Sequence, residues 1–178
     1  FNVPDGKEVW RIEETSRSTS APIVVDGKLI YSGSSGIRVR EAATGKMMWQ
    51  AGHLNAGYQN AIPVVWDDLL IANGTDCRAF NLKDGKPQWT VKCATDAKRF
   101  HRSRRQAMAG SSTPIIAGEF AWFGHDDTSL RAVNRKGQVV WEYILGTPIK
   151  TSPVITGNLL LVHDFAGNLW CFAGANLN

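Results

Sequence analysis

The sequence predicts an all-β fold, a β-propeller with four blades' worth of four-stranded antiparallel sheets. Three observations predict it. A tryptophan recurs behind a glycine in Gly6-Lys-Glu-Val-Trp10, Gly45-Lys-Met-Met-Trp49, Gly85-Lys-Pro-Gln-Trp89 and Gly137-Gln-Val-Val-Trp141, at spacings of 39, 40 and 52 residues. A fixed signature recurring near every 40 residues marks a repeat architecture. Between these signatures, short apolar runs alternate with Gly, Asp and Ser clusters, which supply the positive φ that tight hairpins need. No segment carries a 3.6-residue apolar period of helical length.

The elements follow in order, with strands A to D in each unit. A lone D strand is expected over 7–13. The first full unit, 20–52, opens at Pro22 with Ile-Val-Val, turns at Asp26-Gly27, continues through Leu29-Ile-Tyr31 and Ile37-Arg-Val39, and closes on Trp49. The second, 60–93, runs from Pro63 through Leu69-Leu-Ile71 and Cys77-Arg-Ala-Phe80 to Trp89. The third, 111–144, runs from Pro114 through Phe120-Ala-Trp-Phe123 and Leu130-Arg-Ala-Val133 to Trp141. The fourth, 151–173, starts at Pro153 and supplies strands A to C only. Proline suits the start of an edge strand and fits poorly in mid-sheet. Sixteen strands result, with an extra D strand at one end and a missing one at the other. Three arrangements satisfy this count: a stretch of a larger seven- or eight-bladed ring, two copies completing an eight-bladed ring, or a closed four-bladed ring. Pairing the two ends would remove open sheet edges.

Composition bounds the function. Net charge is +4, but Lys98, Arg99, Arg102, Arg104 and Arg105 lie in one stretch, and without them the balance is −1. Basicity this local argues against a nucleic-acid binder. No run of 18 apolar residues exists, so no membrane-spanning helix is expected. The chain begins at Phe1, shows no signal peptide, and reads as a processed product or a piece of something longer.

The run Ser20-Ala-Pro22-Ile-Val-Val-Asp-Gly-Lys-Leu-Ile-Tyr31, followed by Thr44-Gly45-Lys-Met-Met-Trp49, closely resembles the PQQ-like, tryptophan-docking propeller repeat. Quinoprotein alcohol dehydrogenases and BamB-type outer-membrane assembly lipoproteins share that repeat. The resemblance covers essentially the whole chain. It implies that Trp10, Trp49, Trp89 and Trp141 pack between blades, and that Gly45 and Gly85 permit close approach. It also implies an exported protein of the periplasm or cell envelope. The quinoprotein chemistry is not matched. The resemblance would require vicinal cysteines and Ca²⁺ ligands, whereas Cys77, Cys93 and Cys171 are scattered and no compact carboxylate set supplies the six to eight oxygens Ca²⁺ takes. The expectation is therefore a non-catalytic scaffold for protein–protein interaction, with no catalytic residue, no cofactor and no metal. A fragment of a PQQ-dependent dehydrogenase is the alternative.

Candidate functional residues cluster in the long D-to-A insertion, 93–112. Lys98, Arg99, Phe100, His101, Arg102, Arg104 and Arg105 make it a positive arm suited to an acidic protein partner, since guanidinium forks match carboxylates. Further blades, from a longer chain or a second copy, are the other expected partner. The B-to-C turns should share that face and carry Asp76, His125-Asp126-Asp127 and His163-Asp164. His125 aligns with Asp164 in the repeat, so the two His-Asp pairs are out of register for one metal, and turn formation explains them better. Arg38, Arg78 and Arg131 occupy one position in three C strands, with stems expected to cover apolar surface while the guanidiniums reach water or a neighbouring carboxylate. Cys77 and Cys93 read as near-opposite neighbours across a hairpin, open to a disulfide in an oxidising compartment. Cys171 aligns with Ala79 and Ala132 and reads as a packing residue.

Overall fold

A computed structural model describes residues 5–14, 20–33, 36–52, 61–93 and 112–174. The described residues form fifteen strands, in four sheets. The first sheet is β1 (Ile23–Val25), β2 (Lys28–Gly33), β3 (Gly36–Glu41) and β4 (Met47–Ala51). The second is β5 (Val64–Trp66), β6 (Leu69–Asn73), β7 (Cys77–Asn81) and β8 (Pro87–Val91). The third is β9 (Ile115–Ala117), β10 (Phe120–Gly124), β11 (Ser129–Val133) and β12 (Val139–Ile144). The last is β13 (Val154–Thr156), β14 (Leu159–His163) and β15 (Leu169–Ala173). Each sheet is an antiparallel meander of sequential neighbours, as a propeller blade requires. The described residues contain no helix long and apolar enough to cross a membrane.

Turn chemistry sets the repeat. Val25 pairs with Lys28 across Asp26-Gly27, and both turn residues have positive φ, 48° and 71°. That is the type I′ geometry whose twist matches the strands it joins. At the next corner but one, Gly45 N–H donates to Glu41 O at 2.8 Å, and Gly85 N–H to Asn81 O at 2.8 Å. The ladder shifts register at the same place in three blades, between Val39 and Arg40, Ala79 and Phe80, and Ala132 and Val133. Such a bulge bends the strand and adds twist.

Blades dock through their tryptophans. Trp10 Nε1–H donates to Ala42 O at 3.1 Å, Trp49 to Leu82 O at 3.1 Å, and Trp89 to Arg135 O at 3.0 Å. Each ring lies against the glycine of the next turn, Gly45, Gly85 and Gly137 respectively. Trp141 instead meets Phe172 edge-on with centroids 5.7 Å apart, in a group that includes Trp122, Tyr143 and Trp170. Burial between the blades gathers into three clusters. One is centred on Ile30, Val39 and Leu70, one on Ile71, Cys77 and Phe123, and one on Leu130, Ile149 and Leu160. Each mixes residues of adjacent sheets, which is why short two-sided apolar strands suffice.

Two expectations change at the chain's ends. Residues 8–13 join no sheet among the described residues, although Trp10 is docked as a D-strand tryptophan docks. A strand needs a C-strand neighbour; the one C strand without a D strand is β15, and residues 8–13 do not form a strand beside it. Cys171 is exposed rather than packed. Its counterparts Ala79 and Ala132 are buried, but β15 is the outermost strand of a three-stranded sheet.

Candidate functional site

The B-to-C turns and the stems of the long insertion meet on one face. In the second blade, Asp76 follows the turn after β6 and accepts from Cys93 N–H at 3.3 Å, just beyond β8. Ser112, at the other stem, is fully buried. Its carbonyl accepts from Asn73 Nδ2 at 2.9 Å, and its Oγ accepts from Gly124 N–H at 3.0 Å. Both ends of the insertion are thus tied to turns of the second and third blades. Lys98, Arg99, Phe100, His101, Arg102, Arg104 and Arg105 themselves lie outside the described residues.

The third blade's turn carries the densest chemistry. His125 opens it, with its N–H donating to Ser129 O at 3.0 Å. Asp164 opens the matching turn of the fourth blade, with its N–H donating to Asn168 O at 3.0 Å. The repeat alignment of His125 with Asp164 therefore holds, and the two His-Asp pairs do not converge. His163 is exposed, and Asp164 is buried against Asn168 and Trp170 Nε1–H, the latter at 2.8 Å. Asp126 pairs with Lys150 at 3.0 Å.

His125 instead meets two residues of other kinds. It is 3% exposed, and its Nε2–H donates across the blade boundary to Gly74 O at 2.9 Å. Its Nδ1 lies 3.6 Å from Asp127 Oδ1 and 3.2 Å from Asp127 N–H. One ligating atom each of Cys93, His125 and Asp127 lies within 4.8 Å of the other two. Arg131 closes the group, with Nη2 2.7 Å from Asp127 Oδ2, Nε 2.7 Å from Glu142 Oε1 and Nη1 3.6 Å from Cys93 Sγ. Burial opposes a charge on His125, but Asp127 and Cys93 outweigh it and push its pKa up to about 10. Burial likewise opposes the Asp127 charge, and His125, Arg131 and Ser129 overcome it, holding the carboxyl well below its usual range. This is not a nucleophile–base–orienter triad. A relay uses one imidazole nitrogen for the nucleophile and the other for the orienting group, whereas His125 commits Nε2 to Gly74 O.

Sequence reading missed this cluster. It had Asp126, Asp127 and His125 as turn formers and Cys93 as a disulfide candidate, and nothing in the spacing links positions 93 and 125. The arginines behave as expected. Arg38 pairs with Glu14 at 3.0 Å, Arg78 with Asp76 at 3.2 Å, and Arg131 as above, so each has a carboxylate partner. Cys77 and Cys93 are free thiols, both buried. The turn and the bulge beside Phe80 place Cys77 opposite Val91, one diagonal step from Cys93. Burial pushes the Cys77 thiol well up, which suits a packing group.

The cluster does not suit Ca²⁺ or a quinone site. It is the one group of three or more ligating side chains among the described residues, and it offers a thiol and an imidazole where Ca²⁺ takes oxygens.

Meander blades joined by docked tryptophans and corner glycines define a β-propeller of PQQ-like repeats. Comparison with known proteins makes the assignment specific: the family model for the outer membrane protein assembly factor BamB matches residues 1–176, and the chain belongs to that family. It is 25% identical over 170 residues to the BamB of Yersinia pestis, covering 86% of this chain and 41% of the relative. It is 26% identical over 166 residues to the BamB of Moranella endobia (strain PCIT), covering 84% and 40%. The chain thus spans about two fifths of these relatives. Among solved structures, BamB from Moraxella catarrhalis superposes with a TM-score of 0.62 at 18% identity, over 87% of this chain and 43% of that one. The computationally designed Ika4 protein superposes at 0.70 with 13% identity, over 94% and 98%. These likenesses are of fold.

Proposed function

We propose that this chain is part of a non-catalytic propeller scaffold whose B-to-C turn face docks another protein in the cell envelope. The observation that carries the reading is the double anchoring of the insertion, Cys93 on Asp76 and Ser112 on Asn73 and Gly124. A rigid scaffold that holds both stems of a basic segment presents that segment as a binding arm. Lys98, Arg99, Arg102, Arg104 and Arg105 suit an acidic partner surface, and Phe100 and His101 add contact area. The relatives are outer membrane protein assembly factors, which supports a partner engaged in that assembly and a setting in the cell envelope. Further blades, from a longer chain or a second copy, complete the ring.

The test is cross-linking of the tagged protein in envelope extracts, followed by mapping of contacts. Contacts are expected within 93–112, and replacing the five basic residues by Ser should abolish them while leaving the melting temperature unchanged. Undiminished cross-linking by that variant would defeat the docking arm.

A further inference from the structure

We propose that Cys93, His125 and Asp127 form a binding site for a thiophilic divalent transition-metal ion, with Zn²⁺ the best chemical match. The donor set is one thiolate, one imidazole and one carboxylate, all three among the ligands Zn²⁺ accepts. Their ligating atoms lie within 4.8 Å of one another, and Nδ1 stands 3.6 Å from Asp127 Oδ1. A tetrahedral centre with bonds of about 2.0–2.3 Å needs ligand atoms about 3.3–3.8 Å apart, so the side chains need only small rotations.

The surroundings are those of a metal site. A ligating histidine typically donates its other ring N–H to a carbonyl or carboxylate, which fixes the tautomer. His125 does this through Nε2–H to Gly74 O, leaving Nδ1 towards Asp127, where a bound ion would take the place of a proton. Ligating carboxylates are themselves held, and Arg131 Nη2 and Ser129 N–H hold Asp127. Arg131 Nη1 also stands 3.6 Å from Cys93 Sγ, where an N–H stabilises a thiolate. Coordination would displace two long contacts, Asp127 N–H to Nδ1 at 3.2 Å and Cys93 S–H to Val91 O at 3.8 Å.

Charge balances as well. Cys93 thiolate, Asp127 and Glu142 bring three negative charges, and Arg131 and a divalent cation bring three positive. Three protein ligands leave a fourth position for water or a ligand atom. The site joins two blades, since Cys93 follows β8 and His125 follows β10. A bound ion would therefore clamp the stem of the basic insertion to the third blade.

Titration of the reduced, chelator-treated 178-residue chain with Co²⁺ in the absence of oxygen tests this. One equivalent should produce a thiolate-to-cobalt charge-transfer band in the near ultraviolet and tetrahedral d–d bands, both removed by Zn²⁺. Cys93→Ser should abolish the charge-transfer band and weaken Zn²⁺ binding by more than the roughly 10- to 100-fold that loss of a supporting partner causes. Cys171→Ser, at an exposed thiol far along the chain, should leave the bands intact. Absence of the band in the wild type, or its survival in Cys93→Ser, overturns the proposal. Should Cys93→Ser fail to fold, X-ray absorption of the Zn²⁺-loaded wild type decides: one sulfur among nitrogen and oxygen neighbours supports the site, and a shell without sulfur refutes it.

Discussion

Trp49 occupies the space a side chain on Gly85 would need. A Cβ built on Gly85 would stand 2.5 Å from Trp49 Cε3, and Gly85 has a φ of +74°. Two separate constraints, ring contact and backbone hand, thus fall on one residue. Gly85→Ala should cost about 2–4 kcal/mol, the sum of an αL penalty of about 1 kcal/mol and overpacking of about 1–3 kcal/mol. Gly27 isolates the backbone part, with a φ of +71° and nothing within 4 Å of its missing Cβ. Gly27→Ala should cost about 1 kcal/mol. Urea unfolding at neutral pH separates the two, and equal costs would show that the ring contact contributes nothing.

The indole N–H should matter as much as the ring. Trp49→Phe keeps an aromatic ring but leaves Leu82 O without the 3.1 Å bond it accepts. A buried acceptor stripped of its donor costs about 1–3 kcal/mol. Trp141 makes ring contacts with Trp122, Tyr143 and Phe172, and no indole N–H bond is among those described for it. Trp141→Phe should therefore be milder than Trp49→Phe by at least about 1 kcal/mol. The comparison requires only denaturant midpoints of the two variants, and the reverse ranking would defeat it.

The tryptophan docking was legible in the sequence because both its parts recur, a glycine corner with a Trp four residues on, and Trp10, Trp49 and Trp89 each dock on the corner glycine one repeat along. The same holds for Asp26-Gly27 and for the match of His125 to Asp164. What escaped was whatever depends on neighbours. Cys93 meets His125 only because adjacent blades pack, and no repeat signal relates a strand end in one blade to a turn in the next. Cys77 lies opposite Val91 because of turn length and a bulge that apolar patterning does not encode. Cys171 matches Ala79 residue for residue, yet its exposure is set by what lies beside β15. The basic arm was plain in composition, and its stems, Cys93 and Ser112, now show where it is rooted.

Acid and base should weaken the fold through different members of the same cluster. Asp127 has a lowered folded-state pKa, so its contribution is present above the unfolded value of about 3.9 and is lost as pH falls through the folded one. Breaking its buried pair with Arg131 by Asp127→Asn should cost roughly 3 kcal/mol at pH 7. The gap to wild type should narrow by about 1 kcal/mol at pH 3, since only the wild type takes up that proton on unfolding. His125 runs the other way. Its folded pKa is raised to about 10, so its contribution is complete below about pH 6.5 and is lost as pH rises towards 10. Urea midpoints across this range should fall at both ends for the wild type. The alkaline fall should flatten in His125→Asn, and an unchanged alkaline limb there would show that His125 carries no such proton.

Leu169 and Cys77 occupy the same place in their blades, yet Leu169 is 74% exposed and Cys77 is fully buried. The difference is the neighbour: Cys77 pairs with Val91 of β8, whereas β15 has β14 on one side and, among the described residues, no strand on the other. An open apolar edge is a template for strand addition. Thiol chemistry reads this directly, because Cys171 lies on that edge while Cys77 and Cys93 are buried. In the folded chain, a disulfide-exchange reagent should label Cys171 within seconds to minutes and leave the other two thiols unreacted until urea is added. Blades supplied in trans, or a second copy at high concentration, should protect Cys171 by covering β15, and Leu169→Lys should restore its labelling. Rapid reaction of all three thiols would refute the buried placement of Cys77 and Cys93. Protection of Cys171 in a dilute sample of monomeric mass would show that the chain covers this edge with its own residues.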